Sequence, residues 1–92
     1  MAGILISLMV VACAQNGGTI FGVVISVDGT LDQVTSFTVL VEGDEMRFLP
    51  ADDGDYPYPL PHLREHLRTG EPVFVTWERR DGQLYAIELR DG

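Results

Sequence analysis

Apolar and polar residues alternate with a period of two through most of the chain beyond residue 19, and this alternation predicts strands. From Ile20 it sets Phe21, Val23, Ile25 and Val27 on one face and Ile20, Gly22, Val24 and Ser26 on the other. Gly22 inside the run predicts a bend or bulge, which a long strand needs if it is to serve both sides of a small barrel. Asp28-Gly29 then predicts a turn. The second strand is expected over Val34 to Val41, with Thr35, Phe37, Val39 and Val41 on its apolar face. Glu42-Gly43-Asp44-Glu45 places Gly-Asp in the middle of a tight connection, compatible with a type II′ hairpin. A third strand, Glu45 to Leu49, points Met46 and Phe48 inward and ends at Pro50. Ser36, Thr38, Leu40, Glu45, Arg47 and Leu49 are the outward positions of strands two and three.

The period then changes. Ala51 to Pro59, ADDGDYPYP, carries loop signals throughout, whereas Leu60 to Thr69 repeats leucine at positions 60, 63 and 67, one face of a helix. Pro61 suits the first helical turn, where a missing N–H costs little, and Gly70 suits the left-handed residue that ends a helix. Alternation resumes after Gly70-Glu71-Pro72. Val73, Val75 and Trp77 share a face of a fourth strand, Val73 to Glu78. Arg80-Asp81-Gly82 predicts a second hairpin, and a fifth strand, Gln83 to Arg90, groups Tyr85, Ile87 and Leu89.

The predicted order is βββαββ, which is the order of the OB-fold, a five-stranded Greek-key barrel with a helix between strands three and four. The expected fold class is therefore all-β with one helix, about Leu60 to Thr69. Gly22-Val23-Val24-Ile25-Ser26-Val27-Asp28-Gly29, Gly70-Glu71-Pro72-Val73-Phe74-Val75 and Gly82-Gln83-Leu84-Tyr85-Ala86-Ile87 resemble small secreted bacterial OB-like modules of unknown function. The resemblance runs from Thr19 to Asp91 and lies in turns and strands rather than in a catalytic motif, so it implies a fold and leaves function open.

Composition narrows the partners. The 92 residues carry 14 acids against six bases, all six of them Arg, for a formal charge of −8. Phosphate neutralisation by Lys and Arg supplies most of the affinity for nucleic acid and anionic lipid, so neither is an expected ligand. No charged residue precedes Asp28. Within that stretch Ile4 to Ala12, ILISLMVVA, is an unbroken run of apolar and small residues, well short of the roughly 20 apolar residues of a membrane-spanning helix but suited to a signal-peptide core. Val10-Val11-Ala12-Cys13 resembles the bacterial lipobox, in which the Cys is lipidated and becomes the mature N-terminus. It departs from that pattern in having no Lys or Arg ahead of the apolar run. The alternative is an apolar first strand with a buried free Cys. With one Cys, no disulfide forms within the chain. The domain expectation is a lipoprotein-type signal peptide over residues 1–12, Cys13 and a short tether over 13–19, and the barrel over 20–92.

Chemistry is concentrated in the helix. His62-Leu63-Arg64-Glu65-His66 is similar to the H-x-x-E-H motif of the inverted zinc peptidases, which implies His62 and His66 as zinc ligands and Glu65 as the base acting on metal-bound water. Those enzymes take a third ligand from a distant Glu. Only Glu71, Glu78 and Glu88 follow His66, in a segment that reads as a hairpin. The histidines therefore read as a solvated helix face away from the leucine stripe, with no metal, no cofactor and no catalytic residue expected. Asp52-Asp53-Gly54-Asp55 lacks the alternating ligands of a calcium loop and reads as a solvated turn. Tyr56 and Tyr58, stiffened by Pro57 and Pro59, are candidates to stack on a ligand together with His62 and His66, or else to cover the barrel mouth. The expectation is a monomeric, lipid-anchored binding or structural module of the bacterial cell envelope, its ligand an envelope protein or a small molecule. A zinc hydrolase using His62, Glu65 and His66 is the first alternative, and a single-stranded nucleic-acid-binding domain the second.

Overall fold

A computed structural model describes residues 16–30, 33–55 and 59–92. It contains β1 (Gly17–Thr30), β2 (Gln33–Val41), β3 (Asp44–Asp55), α1 (Leu60–Thr69), β4 (Val73–Arg80) and β5 (Gln83–Asp91). The strands close a barrel in the order β1-β2-β3-β5-β4, with every pairing antiparallel except β3 with β5. This is the expected OB-like Greek-key barrel, with the helix between strands three and four.

Closure depends on β1 pairing twice. Its first half, Gly17 to Gly22, pairs with β4, and its second half, from Val23, pairs with β2. Gly22 stands at the handover, as its position in the sequence suggested. A Cβ there would lie 2.4 Å from the Leu40 carbonyl oxygen, so only glycine lets β1 cross so close to β2. Beyond it, Ile25 is an extra residue in the ladder, since Val24 pairs with Val39 and Ser26 with Thr38. Such a bulge reverses which side chains face inward. Ile20 and Val24 therefore face the core before it and Val27 after it, whereas Phe21 and Ile25 are exposed. The single alternating face read from the sequence is two half-faces joined by a bulge.

The same device recurs. Thr35 is skipped between Ser36 and Val34, so Thr35 is exposed and Val34 packs on the core. Ser36, expected outward, is buried and donates to Asp28 Oδ2 at 3.2 Å. In β5, Ile87 is skipped between Ala86 and Glu88. Ala86 and Leu89 consequently fill the interior in place of the expected Tyr85, Ile87 and Leu89.

Three turn expectations change. Asp28-Gly29 lies within β1, and Thr30 pairs with Gln33. A Cβ added at Gly29 would lie 2.5 Å from the Gln33 carbonyl oxygen and 2.9 Å from Leu60 Cδ1, so glycine admits both the strand partner and the helix there. The β2–β3 turn has positive φ at both Glu42 and Gly43, the signature of type I′ rather than type II′. Asp81-Gly82 does the same between β4 and β5. Pro50 does not end β3: the ladder with β2 stops at Phe48, and Leu49 and Pro50 pair with Tyr85 and Ala86 of β5. Proline is tolerated there because it sits where β3 changes partner, and part of the acidic segment expected as loop is strand up to Asp55.

The core joins Val24, Phe37, Val39, Phe48, Val73, Val75, Trp77, Ala86 and Leu89 from the strands with Leu63 from the helix. Pro59 starts α1, its carbonyl accepting from the His62 and Leu63 amides, and Gly70 ends it at φ 77°, donating to the His66 carbonyl. Leu60 and Leu63 are buried as expected, but Leu67 is 40% exposed and His66 is buried instead. Around the helix axis Leu67 points almost the same way as Leu60 and Leu63. The segments that return over the last turn, however, meet the His66 side.

Leu63→Ala should therefore cost about 2–5 kcal/mol in urea unfolding, the range for emptying a buried leucine site. Leu67→Ala should cost less than about 1 kcal/mol, as expected for a residue largely in water. Equal losses would place the buried face on the leucine stripe after all.

Candidate metal-ligating cluster at the helix end

Helical geometry sets His62 and His66 one turn apart on the same side of α1, with ring centroids 5.0 Å apart. Their surroundings differ. His62 is half-exposed, whereas the His66 side chain is only 7% exposed, packed under the chain that leaves the helix. That chain is shaped by Gly70 in its left-handed conformation and by the Glu71 amide, which donates to Thr69 Oγ1 at 3.2 Å. The Glu71 carbonyl is thereby placed 2.8 Å from His66 Nδ1.

The third member comes from the far end of the sequence. Asp91 pairs with Val73 in the β4–β5 ladder, and the Gly92 amide donates to the Pro72 carbonyl at 3.0 Å, which ties the end of β5 to the segment just after the helix. Asp91 Oδ1 lies 2.7 Å from His66 Nε2 and 3.1 Å from His62 Nε2, and the two Nε2 atoms are 3.2 Å apart. Two imidazole nitrogens and one carboxylate oxygen thus form a triangle with edges near 3 Å. They line an open cleft of about 260 Å³ together with Glu65, Thr69 and Glu71.

A carbonyl oxygen only accepts hydrogen bonds, so His66 Nδ1 carries a proton and donates it to Glu71. That contact fixes the orientation of the ring and directs Nε2 at Asp91 and His62. The burial of His66 corrects the expectation of a solvated histidine face, which holds for His62 alone. The carboxylate that completes the cluster is Asp91 and not one of the three later glutamates. Glu71 contributes its backbone, while Glu78 and Glu88 pair with Arg80 and Arg90. Glu65, the general base of the similar peptidase motif, lines the cleft but is engaged by Arg68. Cys13, Tyr56 and Tyr58 lie outside the described residues. Spacing in the sequence marks the two histidines, but nothing local marks Asp91, which reaches them only through the β4–β5 hairpin.

His66→Leu keeps the volume buried but leaves the Glu71 carbonyl without its donor, and should cost on the order of 1–3 kcal/mol in urea unfolding. Arg68→Ala, which breaks an exposed pair, should cost less than about 1 kcal/mol. A His66→Leu variant as stable as the wild type would remove the histidine from any role in holding the post-helix segment.

No protein-family model matches the chain, and no characterised protein matches it in sequence, so the chemistry of this cleft has to be read from its own donors and their spacing.

Proposed function

We propose that the chain is a bacterial lipoprotein whose OB-like barrel is held at the outer face of a membrane through Cys13 and serves as a binding or structural module of the cell envelope. The observation that carries this reading is Val10-Val11-Ala12-Cys13 at the end of an apolar run, directly ahead of the first strand. The connection is short. β1 begins at Gly17, three residues earlier than the alternation suggested, and the Asn16 carbonyl already accepts from the Arg79 amide at 2.7 Å. A barrel attached this closely to Cys13 sits against the bilayer, with little freedom to tumble.

The attachment also orients the cleft. The tether enters where Gly17 pairs with Glu78, whereas the helix-end cleft lies at the Val73 and Asp91 end of β4 and β5. These points are roughly 17 Å apart along the strands. The cleft is thus displayed away from the membrane, open to an envelope protein or a small molecule, on a barrel that functions as a monomer.

Charge favours this over nucleic acid. Arg68, Arg80 and Arg90 pair with Glu65, Glu78 and Glu88, and the outward face of β2 and β3 offers Arg47 beside Glu45 and the half-exposed Leu40. A groove that tracks a phosphate backbone needs a run of unpaired cations.

Lipid labelling and mass spectrometry of membrane fractions test the anchor. The expected mature N-terminus is a diacylglyceryl-modified Cys13, with Cys13→Ala shifting the protein out of the membrane fraction. A chain still beginning at Met1 or Ala2 with an unmodified thiol would sink the proposal.

A further inference from the structure

We propose that His62, His66 and Asp91 form a binding site for a divalent first-row transition metal, with at least one coordination position open to the cleft. The first support is the donor set. Two imidazole nitrogens and one carboxylate oxygen, with no thiolate, suit zinc and its neighbours in that series rather than calcium or magnesium, which take oxygen ligands.

Spacing is the second support. Metal–ligand bonds of about 2.0–2.1 Å require donor atoms about 3.3 Å apart at tetrahedral angles and about 3.0 Å apart at octahedral ones. The three donors lie 2.7, 3.1 and 3.2 Å from one another. An ion bonded to all three stands roughly 1 Å out of their plane, with the remaining positions left for water or a ligand.

Orientation is the third. The Glu71 carbonyl accepts from His66 Nδ1 at 2.8 Å, which turns Nε2 toward Asp91 Oδ1 and His62 Nε2. A backbone carbonyl bonded to the other ring nitrogen is also the arrangement that orients metal-ligating histidines and makes them more basic. The surrounding charge helps, since the chain is at −8 and Glu65 and Glu71 border the cleft.

The site differs from the peptidase motif within the same helix. Its carboxylate ligand is Asp91 from β5, and Glu65 is paired with Arg68. The ion would join the last turn of α1 to the end of the final strand, two elements 25 residues apart in sequence. It would thus both staple the helix to the barrel and present an open coordination position to whatever enters the cleft.

The test is calorimetric titration of the chelator-treated full chain with zinc chloride, with thermal melts at each zinc concentration. The expected result is one zinc per chain and a melting temperature that rises with zinc, as linkage requires of a ligand bound only by the folded state. His62→Ala and Asp91→Asn alter exposed side chains and should leave the metal-free melting temperature within a few degrees of wild type, while each weakens zinc binding at least about tenfold. Cys13→Ala should bind zinc as the wild type does, so this proposal and that of the lipid anchor fail separately. No saturable one-to-one binding would leave the cluster a proton-bridged His–Asp contact and overturn the metal site. So would binding undiminished in both His62→Ala and Asp91→Asn.

Discussion

The barrel depends on one strand being shared between two partners. β1 gives its first half to β4 and its second half to β2, and a strand can do this only if it bends sharply where it changes partner. Gly22 permits the close approach to the Leu40 carbonyl, and the bulge at Ile25 turns the strand. If either were regular, Ile20 and Val24 could not face the same interior as Val27, and the sheet would stay open with two unpaired edges. The parallel contact of Leu49 and Pro50 with β5 completes the ring, made possible by Pro50 falling where β3 leaves β2.

Closure in this order brings the helix end and the chain's last strand together. α1 fills one end of the barrel through Leu60 and Leu63, and its last turn is met by the segment leading into β4. β5 pairs along β4 and therefore finishes beside that segment, with Asp91 opposite Val73. His66 is buried by this meeting, and its ring is oriented by a backbone carbonyl before any ligand arrives. A side chain held by a buried contact, beside two half-exposed partners, is preorganised in a way that three freely rotating surface residues are not.

Position gives the cleft and the proposed anchor separate roles. The proposed tether would join the Gly17 end of β1, and the cluster lies at the opposite end of β4, so an anchor there would leave the cleft unobstructed. A small barrel with a chain charge of −8 is itself a weak ligand for phosphates and an attractive one for cations. The metal proposal and the envelope proposal draw on this acidity in compatible ways, yet neither needs the other.

The element order was legible from the chain, because period-two alternation, glycine-containing turns and the leucine spacing of α1 are local signals. Phe37, Val39, Val73, Val75 and Trp77 are buried where the alternation placed them, and Leu63 where the leucine spacing placed it. What local pattern could not convey was the inward face of β1 and β5, since one bulged residue reverses every side chain after it without altering composition. Nor could it show that Leu67 would face water while His66 was covered, because that depends on the path of the returning segment rather than on the helix. The pair His62 and His66 was visible as an i, i+4 spacing, and the sequence by itself determined that much of the site. Asp91 was decided only by the tertiary structure: hairpin pairing, not sequence proximity, carries a carboxylate from the end of β5 to within 2.7 Å of a histidine on the helix.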